Sequence, residues 1–108
     1  MAYSFGLEFQ RHILASALSD KEFIQHHIDA ISPEFFGEEL LAGIAEVVLS
    51  FYTKHKELPS KEALLHEIEN AVAPGRSLSE YKEELGEVYS KVGINPRYYQ
   101  DKALEFAR

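Results

Sequence analysis

Cysteine and tryptophan are absent from this chain of 108 residues. Without Cys there can be neither a disulfide framework nor a thiolate metal site, and a reducing compartment is the natural setting. Long apolar runs are missing as well. The densest stretch, Ile44–Phe51, is broken by Glu46 and Ser50, far short of the ~18 residues that cross a bilayer. No membrane association is expected. The opening residues Met1–Gly6 lack the basic-then-apolar order of a signal peptide, so a cytoplasmic location is expected. Positive charge is scarce, with eleven Lys and Arg against eighteen Asp and Glu and a net charge of −7. The nearest approach to a basic cluster, Lys54, Lys56 and Lys61, is interrupted by Glu57. Nucleic-acid binding draws on clustered cations, so none is expected from this chain alone. An acidic surface suits solubility, or contact with a basic partner.

What the chain does have is apolar residues at helical spacing. One domain is the expectation for this length, with seven Phe and six Tyr to fill the core. Phe9, Ile13 and Ala17, widened by Leu14 and Leu18, predict a first helix over about 7–18. Ser19 and Glu22 have capping-box spacing and predict a second helix over about 20–31, with Phe23, Ile24, Ile28 and Ile31 inward. Ser32 and Pro33 then start a single short turn, stopped by Gly37, whose Phe35 and Phe36 plug the core.

The third helix, about 38–54, carries a wide apolar face from Leu40 to Tyr52 and is expected to be central. Gly43 inside it costs ~1 kcal/mol against Ala, which a close helix crossing would offset. A polar link ending in Ser60 leads to a fourth helix, about 61–72. The loop Ala73–Ser77 separates it from a fifth, about 78–92, striped by Tyr81, Leu85, Val88, Tyr89 and Val92 and closed by Gly93. Asn95 and Pro96 begin a sixth helix, about 96–108. The reading is all-α: a small six-helix bundle.

The sixth helix has apolar residues on several sides. Tyr99, Ala103 and Phe106 form one stripe, with Tyr98 and Leu104 on its flanks. It also lacks a stop signal, so the chain is expected to be a piece of a longer protein. Aromatics contribute heavily at protein contacts. Tyr98, Tyr99, Leu104 and Phe106 are therefore the candidate interface residues.

Catalytic signatures are wanting. The six glycines stand singly at 6, 37, 43, 75, 86 and 93, which leaves no phosphate loop. No Gly-x-Ser-x-Gly elbow occurs, and the serines sit mostly at expected caps and loops. Adjacent carboxylates such as Glu38/Glu39 and Glu83/Glu84 diverge on a helix and read as charged surface. Two faces, Glu22/His26/Asp29 and Glu62/His66/Glu69, have i, i+4, i+7 spacing that mixed N and O metal ligands can use. Neither has the Glu-x-x-His pair of a di-iron bundle, and both suit solvated helix faces. No catalytic residue, metal or cofactor is assigned, and a carboxylate/His metalloenzyme is the weakest alternative.

Phe9–Phe23, Phe9-Gln-Arg-His-Ile-Leu-Ala-Ser-Ala-Leu-Ser-Asp-Lys-Glu-Phe23, resembles the opening helices of DnaB-family replicative helicases, where Gln-x-x-[Ile/Val]-Leu precedes small residues, leucines and an Asp turn. Ile31-Ser-Pro-Glu-Phe-Phe36 is similar to that family's short acidic-then-Phe element. Phe51-Tyr-Thr-Lys-His-Lys-Glu-Leu-Pro-Ser-Lys-Glu-Ala-Leu64 resembles its long helix, link and following helix in the phage form, since Leu58-Pro-Ser60 stands where bacterial members have Pro-Ile-Asp or Pro-Val-Asp. The likeness spans about Phe9–Glu69; beyond Ala73 it rests on helix order. It implies a non-catalytic N-terminal domain that pairs with copies of itself in a dimer or hexamer collar and meets primase or the helicase loader. It implies ATP and magnesium only for a separate C-terminal ATPase domain. The helicase-binding domain of a primase, and a free-standing helical adaptor, are the nearest alternatives.

Overall fold

A computed structural model describes residues 6–26, 32, 33, 36, 39–71 and 78–107, with the side chains at 106 and 107 apart. Six α-helices lie among the described residues: α1 (Leu7–Ser19), α2 (Lys21–His26), α3 (Glu39–His55), α4 (Lys61–Ala71), α5 (Leu78–Ser90) and α6 (Pro96–Ala107). No strand occurs among the described residues.

Helix punctuation follows from local chemistry. Between α1 and α2 the cap is Asp20, whose Oδ1 accepts from the backbone N–H of Glu22 (3.1 Å) and Phe23 (3.3 Å). Ser19, expected to cap, instead donates its hydroxyl to the Ala15 carbonyl at 2.9 Å and closes α1. A carboxylate one residue on is an equally good cap and also carries charge suited to a helix N-terminus. Ser60 caps α4 as its sequence suggests, accepting from Ala63 N–H at 3.1 Å. The short Pro33 turn buries Phe36 and is tied by Phe36 N–H to the Pro33 carbonyl at 3.1 Å. The expected continuation of α2 through residues 27–31 and the ring of Phe35 lie outside the described residues.

Two helices share the centre. α3 packs on α1, α4 and α5, and buries Leu41, Ile44 and Val48 completely. α1 packs on α2, α3, α5 and α6, and from Ile13 to Leu18 every residue is buried. Its pattern suggests a one-sided stripe, but Ala15, Ser16 and Ala17 are small enough for neighbours to close on the remaining sides. The core joins these two helices to Phe23, Ile24, Leu64, Ile68, Leu85, Val88 and Ala103. A radius of gyration of 12.6 Å agrees with the ~13 Å of a compact hundred-residue domain. At Gly43 the neighbour is a ring: an added Cβ would lie 3.1 Å from Tyr81 Oη. The absent side chain admits Tyr81 of α5 against α3.

One buried ion pair fastens α1 to α5. Arg11 Nε donates to Glu84 Oε2 at 2.5 Å and its Nη2 to Oε1 at 3.1 Å. The side chains are only 15% and 8% exposed. Glu8 also bonds this guanidinium, and the surrounding carboxylates raise its already high pKa further. Glu84 is thus a buried partner and not the charged surface its Glu83 neighbour suggests. The helix period sends Glu83 to solvent and Glu84 inward beside Tyr81 and Leu85.

Candidate interaction surface

The turn between α5 and α6 exposes apolar side chains. α5 stops at Ser90, two residues before the expected end, and tightens through Lys91 N–H to Val88 O (3.0 Å) and Val92 N–H to Tyr89 O (3.2 Å). Gly93 has φ +84° and Asn95 φ +45°. Both residue types tolerate the left-handed region. The early exit turns Val92, read as the last core position of this helix, out to solvent, and Ile94 follows.

Two contacts bring the start of α1 to this turn. Lys91 Nζ lies 2.8 Å from Glu8 Oε2, and the Phe9 ring meets Tyr99 edge-on with centroids 5.4 Å apart. The result is one end of the bundle where Leu7 (38%), Val92 (39%), Ile94 (46%) and Tyr98 (55%) are all exposed. These four are the large hydrophobic side chains exposed among the described residues. The segment Val88–Gln100 beside it contains no Asp or Glu and is the longest such stretch in the chain. In a molecule of net charge −7 that segment brings no carboxylate to this end, and Glu8 there is paired with Lys91. Gathered apolar exposure of this kind marks interaction sites, whereas single exposed side chains do not.

Of the four candidates read from the sequence, Tyr98 stands at the surface, edge-on to Tyr99 at 5.1 Å. Tyr99 and Leu104 are half-buried against this bundle's own helices. The Phe106 side chain lies outside the described residues. Leu7, Val92 and Ile94 were not singled out by the sequence. Val92 reads as core until the helix is seen to end early, and Leu7 and Ile94 sit at element ends where periodicity carries no information.

His12 stacks on Tyr99, with ring centroids 3.9 Å apart and planes 9° from parallel. Its Nδ1 is buried without a hydrogen-bond partner. Desolvation, aided by Lys91 and opposed by Glu8, lowers its pKa from the ordinary imidazole value. The folded state therefore favours neutral His12. Its contribution to stability is complete above about pH 6.5 and declines as the pH falls below that, where the unfolded chain takes up the proton more readily. Glu8 behaves separately. Lys91 and Arg11 lower its pKa, so its contribution is lost at more acidic pH, through the carboxylate range. Urea titrations at pH 7.5 and 5.5 should give a lower midpoint at pH 5.5, and the His12→Phe variant should lose part of that difference.

Among the described residues the two His-containing faces do not form a metal site, although Glu22 and His26 share a shallow groove with Arg97 and Gln100 of α6. Glu22 and His26 are exposed on α2, and Asp29 lies outside the described residues. On α4, His66 Nε2 sits 3.4 Å from Asn70 Nδ2. No group of three metal-ligating side chains converges among the described residues. No described helix is long and apolar enough to cross a membrane. No protein-family model, curated protein or solved structure matches this chain.

Proposed function

We propose that this chain is a non-catalytic assembly module, and specifically the N-terminal collar domain of a phage-type replicative helicase of the DnaB family. On this reading it pairs with copies of itself and presents surfaces to primase or the helicase loader. ATP hydrolysis, magnesium binding and DNA translocation belong to a separate ATPase domain. The observation that carries the assembly reading is the apolar end formed by Leu7, Val92, Ile94 and Tyr98. The helicase assignment rests on the resemblance across Phe9–Glu69, and an all-helical bundle with the same helix order is compatible with it.

Sedimentation velocity over a concentration series tests the first part. The domain should associate reversibly, and Ile94→Ser with Tyr98→Ser should weaken association at least tenfold while leaving the far-ultraviolet spectrum unchanged. A strict monomer at millimolar concentration would remove self-assembly from the reading. The coding sequence downstream of Arg108 tests the second part. A Gly-x-x-x-x-Gly-Lys-Ser/Thr loop in the following domain is expected for a helicase; its absence there would favour an adaptor.

A further inference from the structure

Away from the apolar end, α3, α4 and the start of α5 enclose an open groove of about 430 Å³. Its lining follows α3 from Glu39 to His55, a length of roughly 24 Å at the helical rise of 1.5 Å per residue. Val47, Phe51, Ile68 and Tyr81 give it apolar walls. Ser50 keeps the α3 side low because its side chain is short.

The rim is charged in an ordered way. Glu46 from α3 and Glu67 from α4 face the groove, and neither makes an ion pair among the described residues. Lys54 stands towards the C-terminal end of α3, also without an ion pair there. Phosphate-rich partners are disfavoured by the two carboxylates, which counts against nucleic acid and anionic lipid alike. A length of several helical turns with an apolar floor suits a helix laid in a groove.

We propose that this groove docks an amphipathic helix of a partner protein, one that carries Lys or Arg beside a stripe of apolar side chains. The cations pair with Glu46 and Glu67 while the stripe packs over the half-buried Val47 and Phe51. The charge order also sets direction. A helix C-terminus is partially negative and its N-terminus partially positive, so the docked helix runs parallel to α3 with its C-terminus at Lys54. This rests on reading the chain as an interaction module, and not on the helicase resemblance.

The probe is a synthetic 14-residue helical peptide with Leu at i, i+3, i+4 and i+7 and Lys on the flanks, titrated into the ¹⁵N-labelled domain. Saturable shifts should concentrate at Gly43, Ser50, Phe51 and Ile68. Glu46→Lys with Glu67→Lys should weaken binding at least tenfold, and Ser50→Arg, at an exposed position, should block the groove without altering the fold. A scrambled peptide of the same composition but without the apolar stripe should not bind. Equal binding of the scrambled peptide, shifts spread over the acidic face of α5, or no binding at millimolar peptide would each overturn the proposal. Self-association should be unchanged in the groove variants. No peptide binding by the wild-type domain, with its self-association intact, therefore removes the groove alone, and peptide binding by a strict monomer removes the apolar end alone.

Discussion

Glu84→Ala is expected to lower the stability of this domain by about 3 kcal/mol, the range for stripping one partner from a buried ion pair. For a domain of this size that amounts to a fall in melting temperature of more than about 10 °C. The variant leaves Arg11, only 15% exposed, without its bidentate acceptor between α1 and α5. Glu8 and Glu87 are half-exposed and more, and they compensate only in part. The pair itself is a different matter. Exchanging both residues for apolar ones of similar volume, Arg11→Met with Glu84→Leu, is expected to recover most of the loss, because neither charge then has to be desolvated. Thermal melts of the wild type, both single variants and the double variant measure the coupling directly. A double variant as unstable as Glu84→Ala would mean that the site depends on ionic contacts and not merely on the absence of an orphaned charge.

Ala103→Leu should cost about 2 kcal/mol, the usual scale for forcing extra methylenes into a filled site. Ala103 is fully buried on α6, whose principal packing partner is α1. The rest of the core is built from α1 to α5, so the damage should be local. α6 should loosen while the remaining helices keep their packing. Limited proteolysis is the discriminating measurement: early cleavage is expected between Lys91 and Lys102, with sites inside the helices α1, α3, α4 and α5 resisting. Uniform loss of protection across all helices would show that α6 unfolds only with the whole domain. Tyr99 gives this helix a second hold, through its stacking on His12 and its edge contact with Phe9. Gln100 adds a third, donating to Asp20 Oδ2 at 3.0 Å.

Most of the architecture is legible in the sequence. The starts of α4 and α6 are marked by Ser60 and by Asn95 and Pro96, which have few good alternatives as punctuation, whereas Gly93 lies three residues past the end of α5. What escapes is whatever depends on a distant partner. Glu84 reads as surface because Glu83 sits beside it; only Arg11, seventy-three positions away, makes burial tolerable. Ala15 and Ser16 read as neutral spacers on α1, yet they are buried because four helices converge there. The apolar end was half-visible. Tyr98 stands off the stripe of its own helix and invites attention, whereas the exposure of Val92 depends on α5 tightening two residues early. The groove on α3 was invisible, since Val47 and Phe51 carry the same signal as the core residues Ile44 and Val48.

The central place of α1 has a consequence for synthesis of the chain. Of the described helices, α1 leaves the ribosome before its partners α5 and α6. At about 5–20 residues per second, the interval between Ser19 and Pro96 is roughly 4–15 seconds. Until α5 follows, Ile13, Leu14 and Leu18 have only α2 and then α3 to cover them. The nascent protein therefore carries a sticky, partly covered helix until nearly all of the domain has emerged, and that helix is the segment a chaperone acting during translation would meet.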